Sequence, residues 1–313
     1  MLRVVFMGTS PFAVPALETL YELTKLNQVI GVYTQPDRPA GRGLGLQFSA
    51  IKKKALELKL PIFQPENFKD PKTLEEFKNL NPDIVVVAAY GLLLPTKLLE
   101  TPKLSAVNIH ASLLPRWRGA APIAWAILKG DLETGVTIQK ISQKLDAGDV
   151  LLQQKTPILT TDYANTLHDR LSQIGARLML PTLEGLMHGQ LQSIAQDESL
   201  MTYAHKLTKE MAKLDLSQLA VELERQVRAF YPWPGTSILV NGVQLKIKKV
   251  ICRKEIQGFQ GKLFEKSGML LLGAKDGSLE IERLQWEGKK ETGALEFLNG
   301  LKGRGVTLPI ELS

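Results

Sequence analysis

The sequence predicts an α/β fold with a parallel sheet in its N-terminal part, followed by a smaller antiparallel β-barrel domain. Three observations predict this. Continuous apolar runs such as "LRVVFMG" and "PDIVVVAAYG" read as strands buried on both faces. Helical patterns separate these runs, and strands alternating with helices build a parallel sheet. After "YPWPG" the chain changes to short strands punctuated by Asn-Gly, Ser-Gly and Asp-Gly turns, the mark of a small antiparallel barrel.

In chain order, "LRVVFMG" is the first strand, and in "SPFAVPALETL" Ser10 fits a helix N-cap and Pro11 the first helical position. "QVIGVYT" is a strand, "IKKKALELKL" a helix with a basic face, "PIFQP" short and extended, and "DPKTLEEFKNL" a helix. Two buried strands follow, "PDIVVVAAYG" and "AVNIH", then a helix in "GAAPIAWAILKGD". "TGVTIQKIS" and "DVLLQQKTPI" are strands joined by "QKLDAGD". "NTLHDRLSQIGARLMLPTLEGLMHG" is one long amphipathic helix capped by Asn165. These elements form a first domain over residues 1–189. The polar, weakly periodic stretch 190–207 is a linker, and residues 208–313 form the second domain. That domain opens on a helix over 215–230, and "YPWPG" (231–235) reads as a rigid hinge between domains. "TSILVNGVQLKIKKVICRK" is a hairpin on an Asn-Gly turn.

A length of 313 residues suits two domains. No apolar run reaches membrane-span length, so no membrane partner is expected. The start "MLRVVFMGTS" lacks the pattern of a signal peptide. A single cysteine, Cys252, leaves no internal disulfide or thiolate cluster and points to the cytoplasm. No two histidines have metal-ligand spacing, so no metal is expected. The net charge of +7 permits a polyanionic partner such as nucleic acid. Residues 208–313 carry 17 basic and 13 acidic side chains, against 22 and 19 in residues 1–207. Within the second domain "KIKKVICRK" has five bases and no acid; alternation puts Lys246 and Lys248 on one strand face, and Lys249 adds to the cluster. A solvated face that aids solubility is the alternative.

Asn108 and His110 stand at i and i+2 near the carboxyl end of a predicted parallel strand, on one side of the sheet. Ligands of open α/β sheets bind outside those ends. An amide there can donate to a developing oxyanion, and an imidazole can exchange protons near neutral pH. Asp146 in "KLDAGD" is the best third member. A core Asn–His pair satisfied by backbone remains the alternative. "TQPDRPAGRGLGLQF", with two prolines, three glycines and the arginines Arg38 and Arg42, is neither helix nor central strand. It reads as a functional loop or a solvated one. Neither it nor "GTSPF" carries the dinucleotide fingerprint. Arg116 and Arg118 fit an anion contact or a solvated surface.

"FMGTSPFA", "TQPDRPAGRG", "VNIHASLLPRWRGAAPI", "LDAGD" and "RAFYPWPG", in this order and spacing, together resemble the methionyl-tRNA formyltransferase family over essentially the whole chain. The resemblance implies a Rossmann-like N-terminal domain using 10-formyltetrahydrofolate and a C-terminal oligonucleotide-binding (OB)-like barrel that holds tRNA. It implies Asn108, His110 and Asp146 as the catalytic trio and Ser112, Leu113, Leu114 and Pro115 as the folate contact. It also implies a loop of residues 36–50, with Arg38 and the key Arg42, at the acceptor end of the methionyl-initiator tRNA. No obligate protein partner is evident. Leu214 and Leu216 depart from the Ile and Trp that members often carry around the Asp, which bears on packing rather than chemistry. A formyltransferase of an amino sugar nucleotide or other small amine is the alternative, although a small substrate needs neither the basic barrel nor the loop. A non-catalytic RNA-binding protein is the other; the intact Asn108, His110 and Asp146 argue against it.

Overall fold

A computed structural model of the chain describes residues 1–40, 45–303 and 305–312. The chain divides into two compact units. The first contains Met1–Pro122, Glu133–Pro157 and His168–Ala204; the second contains Ile123–Leu132, Ile158–Leu167 and His205–Ser313. The stretch expected as a linker therefore divides between the units at residues 204 and 205.

The first unit is built on β1 (Leu2–Gly8), β2 (Asn27–Tyr33), β3 (Arg38–Ala40), β4 (Gly45–Gln47), β5 (Ile62–Phe63), β6 (Ile84–Ala88), β7 (Ser105–His110), β8 (Arg118–Gly119), β9 (Glu133–Lys140), β10 (Val150–Pro157) and β11 (Tyr203–Ala204). Its main sheet runs β10-β9-β7-β6-β1-β2-β5. The strands from β5 to β7 are mutually parallel, as their continuous apolar runs require. The sheet as a whole is mixed, because β9 runs antiparallel to both β7 and β10. Strands β9 and β10 are joined by residues 141–149 alone, and so short a connection makes an antiparallel pair rather than a parallel crossover. Val4, Val5, Phe6 and Met7 of β1 are wholly buried. Each such side chain contributes roughly 1.5–3 kcal/mol of apolar burial, as suits an interior strand flanked by β6 and β2.

Helices α1 (Val14–Glu22), α2 (Ala50–Glu57), α3 (Pro71–Asn79), α5 (Pro122–Lys129), α6 (Ala164–Arg177) and α7 (Met179–Met187) follow the expected segments with three corrections, whereas the single turn α4 (Thr96–Leu99) has no counterpart in the sequence reading. Ser10 makes no side-chain cap bond; a short 3-10 turn, Pro11–Ala13, precedes α1. The long helix is two, broken at Leu178, because Pro181 has no N–H for the Arg177 carbonyl and its ring crowds that oxygen. Asn165 lies inside α6 rather than capping it.

The second unit contains α8 (Ala220–Ala229), β12 (Thr236–Val240), β13 (Val243–Arg253), β14 (Lys262–Lys266), β15 (Met269–Gly273), β16 (Ser278–Trp286), β17 (Thr292–Gly293), α9 (Ala294–Lys302) and β18 (Ile310–Glu311). Helix α8 begins five residues later than expected, after an Asp215 side chain that accepts from the Ser217 amide. The strands form one antiparallel sheet in the order β12-β13-β16-β15-β14-β18, curled as a half-barrel. Its concave core packs Leu245, Ile247, Val250, Leu270, Leu272 and Leu284 with Leu223 and Val227 of α8. The hairpin turn is as expected: Asn241 (φ 49°) and Gly242 (φ 78°) take the left-handed conformations that such a turn demands. "YPWPG" is not a hinge between the units: it lies within the second one, between α8 and β12, where the Gly235 amide donates to Phe230 O at 2.8 Å.

Candidate active site

The register of β7 against β9 sets up the site. Asn108 stands opposite Gln139 and His110 opposite Thr137. Directly opposed side chains in an antiparallel pair share a face, so two polar pairs line one side of the carboxyl end of β7. Asp146, on the connection from β9 to β10, joins them. Its backbone is left-handed (φ 48°). Its Oδ2 accepts from the Gly119 amide at 2.9 Å, and its Oδ1 accepts from Gln139 Nε2 at 3.0 Å and Asn108 Nδ2 at 3.5 Å. His110 Nδ1 lies 3.6 Å from Asp146 Oδ2. The structure thus brings Asn108, His110 and Asp146 together within one unit.

His110 is buried, and its Nε2 is 2.9 Å from the Trp117 carbonyl. A carbonyl only accepts, so Nε2 carries hydrogen, and Nδ1 is the ring atom left beside Asp146. Asn108 is only half-buried; its Nδ2 has a second N–H beyond the one reaching Asp146. Two glycines make this geometry possible. Gly119 (φ 115°) turns its amide onto Asp146, and a Cβ there would stand 2.8 Å from Ala204 O. A Cβ at Gly148 would stand 1.8 Å from the Lys140 carbonyl oxygen.

Residues 112–115 form a hydrogen-bonded ledge that follows His110 in the chain. Ser112 Oγ donates to Arg116 O at 2.6 Å, and Thr137 Oγ1 donates to Ser112 O at 2.6 Å. The Leu114 amide donates to Thr137 Oγ1 at 3.1 Å, while Leu114 O accepts from Gln153 Nε2 at 2.8 Å. Ser112 and Leu114 are buried, whereas Leu113 and Pro115 are half-buried. The ledge thus presents apolar side chains over a backbone whose polar groups are largely occupied.

The surrounding polar frame goes beyond the residues that sequence reasoning singles out for chemistry. Arg118 is 2% exposed. It donates to Gln196 Oε1 through Nε (3.0 Å) and Nη2 (2.8 Å), and to Glu198 Oε1 at 2.8 Å. That contact holds the Glu198 carboxyl below its ordinary value. Gln196 Nε2 donates to Asp146 O at 2.9 Å and Gly148 O at 2.7 Å. Gln139 carries a signal in the sequence, as a second polar residue two places after Thr137 in a buried strand. Gln196 carries none inside its polar stretch. Arg116 is exposed and lies over the Trp117 ring, 4.4 Å from its centroid.

The remaining candidates lie elsewhere. Arg38 is exposed on β3, whereas Arg42 lies outside the described residues. Beside Arg38, Asp37 is held below its ordinary value by hydrogen bonds from Lys52 and Gln64. Lys246 is exposed, but strict alternation stops at Lys248, which is half-buried where the β13–β16 register shifts. Lys249 is exposed and pairs with Glu282 at 3.0 Å. Among the described residues, no group of three His, Cys, Asp or Glu is placed to hold a metal, and no helix is long and apolar enough to cross a membrane.

A mixed α/β unit with an Asn–His–Asp cluster outside its strand ends, followed by a curled antiparallel unit, defines a class of group-transfer enzyme. The chain belongs to the formyl transferase family: the family's model matches residues 2–183, and the model of its C-terminal domain matches residues 206–302. It is similar to the methionyl-tRNA formyltransferase of Hydrogenovibrio crunogenus, at 46% identity over 98% of each chain. The corresponding protein of Pseudomonas fluorescens (strain SBW25) is 45% identical, covering 95% of this chain and 93% of the relative. That of Alkaliphilus oremlandii is 39% identical over 96% of each. Among solved structures, the sugar 3N-formyl transferase WlaRD has the same fold (TM-score 0.68, 22% identity, 93% of this chain and 99% of that one). So does HypX from Aquifex aeolicus (TM-score 0.64, 19% identity, 98% of this chain and 48% of that one), solved with tetrahydrofolic acid.

Proposed function

We propose that the protein transfers the formyl group of 10-formyltetrahydrofolate to the α-amino group of methionyl-initiator tRNA in the cytoplasm. Near full-length likeness to methionyl-tRNA formyltransferases carries this reading. The convergence of Asn108, His110 and Asp146 supplies its chemistry. The amine nitrogen attacks the formyl carbon, and the carbonyl electrons move onto oxygen. The free N–H of Asn108 donates to that oxygen as charge develops. Asp146 accepts the proton that the amine loses, directly or through water, and His110 Nδ1 borders the same path. The oxyanion electrons then re-form the carbonyl as the C–N10 bond breaks, and the proton taken up by Asp146 passes to the leaving folate nitrogen through His110 or water. Nothing in these steps requires a covalent link to the protein. The apolar ledge of Leu113, Leu114 and Pro115, with Ser112 beneath it, suits the flat folate ring. Arg38, Arg42, Lys246, Lys248 and Lys249 meet the tRNA backbone, with residues 1–189 as the catalytic domain, 190–207 as the linker and 208–313 as the RNA-binding domain.

The test is to offer the protein 10-formyltetrahydrofolate with methionyl-initiator tRNA and, separately, with an amino sugar nucleotide. Formyl transfer to the aminoacyl-tRNA alone is expected. Transfer to the sugar with none to the tRNA overturns the substrate assignment, and no transfer to either overturns the activity.

A further inference from the structure

We propose that Arg118, Gln196 and Gln139 form a one-way hydrogen-bond chain that positions the Asp146 carboxylate, with Gln139 as the positioning residue that touches it. The inference deepens the proposed function and rests on Asp146 taking part in the transfer.

The direction of the chain follows from which groups can only donate. Arg118 is a guanidinium with no acceptor, so the amide oxygen of Gln196 must face it, as the 2.8 and 3.0 Å contacts record. The nitrogen of Gln196 therefore faces inward. There its two N–H groups meet Asp146 O and Gly148 O at 2.9 and 2.7 Å, and the oxygen of Gln139, at 3.3 Å, shares one of them as a weaker, bifurcated contact. Gln139 must in turn point its own nitrogen at Asp146 Oδ1, 3.0 Å away. Neither glutamine amide can be flipped without facing two like groups together. Glu198 anchors the outer end through Arg118.

The hydrogen-bond chain grips Asp146 twice, at its backbone carbonyl through Gln196 and at its carboxylate through Gln139. Such a grip has a purpose at this residue. Asp146 has a left-handed backbone on a connection whose neighbour Leu145 is 62% exposed. The carboxylate itself is 14% exposed, and the Gly119 amide holds only its Oδ2, so the Gln139 contact is what fixes Oδ1 on the side of Asn108. Gln139 is 1% exposed and stands directly across the sheet from Asn108. One cross-strand pair thus supplies both an oxyanion donor and the group that aims the neighbouring carboxylate. A glutamine this buried must be hydrogen-bonded wherever it sits; here the group its N–H meets is the Asp146 carboxylate.

Gln139→Met keeps the volume but removes the donor, and Gln139→Glu keeps the shape but turns an acceptor toward Asp146. Formyl transfer to methionyl-initiator tRNA is measured for each, with folding checked by circular dichroism. For Gln139→Met, kcat falls roughly tenfold, as for loss of one hydrogen bond to a charged group, and KM for either substrate changes less than about twofold. Gln139→Glu falls further, because like charges push the carboxylate off its mark. A packing role predicts the opposite order, or a change in stability with kcat intact, and either result overturns the proposal. If Gln139→Glu does not fold, Gln196→Met and the double variant with Gln139→Met decide. Members of one chain give a double variant little worse than either single one, and additive effects overturn the chain. Asp146→Asn runs alongside. Full activity there removes Asp146 from the transfer and overturns both its proton-accepting role and the chain, while leaving the formyl transfer itself in place. An inactive Asp146→Asn beside unaffected Gln139 variants overturns only the chain.

Discussion

His110 donates its Nε2–H to the Trp117 carbonyl at 2.9 Å, and the Trp117 amide in turn donates to Thr202 Oγ1 at 2.9 Å. Trp117 takes a left-handed backbone (φ 61°), an arrangement that persists only where its surroundings over-determine it. Residues 202–204 supply that restraint: the Arg118 amide donates to Thr202 O at 2.9 Å, and the Ala120 amide to Ala204 O at 2.8 Å. The backbone that fixes the imidazole is therefore itself clamped by β11 and the residue before it. Thr202→Val, which keeps the shape but loses the hydroxyl, should cost about 0.5–1.5 kcal/mol of stability and lower kcat more than it raises KM. Thermal unfolding and steady-state formylation check this; unchanged kcat in a folded variant argues against the clamp.

Asn108 is half-buried and has one N–H uncommitted to Asp146. If that N–H meets the developing oxyanion, Asn108→Ala lowers kcat by roughly 10²–10³-fold with little effect on folate affinity. Asn108→Asp is at least as harmful, since a carboxylate repels the same charge. A near-normal kcat in Asn108→Ala would remove the amide from the reaction.

How much of this was legible depends on what each residue's neighbours are. The parallel strands could be read because burial on both faces leaves an unbroken apolar run in place of alternation: "IVVVA" in β6 is buried throughout. Asn108 and His110 could be read because two polar groups break such a run at the end where ligands bind. Gln196 and Thr202 could not. Their importance comes from partners about 50 and 85 residues away, Asp146 and Trp117, and their own surroundings in sequence are ordinary polar chain. The register shift in β13 was equally hidden, since alternation along one strand says nothing of the register of the next. The α6–α7 break was legible in principle from Pro181, but the long apolar periodicity on both sides outweighed it.

Asp83 gives the first unit an acid-sensitive joint. Its carboxylate accepts from the Arg3 amide at 2.8 Å and from Lys103 at 3.0 Å, tying the start of β1 to the turn before β6. Burial alone would raise its pKa, but the Arg3 amide and Lys103 outweigh burial and leave it below the ordinary 3.8. A depressed native value means that the carboxylate's stabilisation is complete above its unfolded value and is lost as pH falls through the native one. Asp83→Asn should therefore melt below the parent at neutral pH, with the gap closing below about pH 4. Melting temperatures followed from about pH 7 down to about pH 2 check this, and a gap independent of pH contradicts it.

The basic strand of the second unit makes the last prediction. A polyphosphate partner is held by lysines whose counterions it displaces, so removing one lysine–phosphate pair flattens the slope of log K against log salt by about 0.7–0.9. The three lysines are not equivalent. Lys246 is exposed, Lys248 is half-buried at the register shift, and Lys249 is exposed but already faces Glu282. Lys246→Gln alone should flatten the slope by close to one phosphate's worth. Lys249→Gln should flatten it by less, because Glu282 answers part of that charge in the free protein. Neutralising all three should weaken tRNA binding most and leave 10-formyltetrahydrofolate binding untouched, since the ledge of residues 112–115 belongs to the first unit. Titrations of the parent and each variant with tRNA at several salt concentrations decide between this and a face that only aids solubility. Superimposable curves for the parent and the triple variant place the RNA surface elsewhere, and equal slopes for Lys246→Gln and Lys249→Gln remove Glu282 from the account.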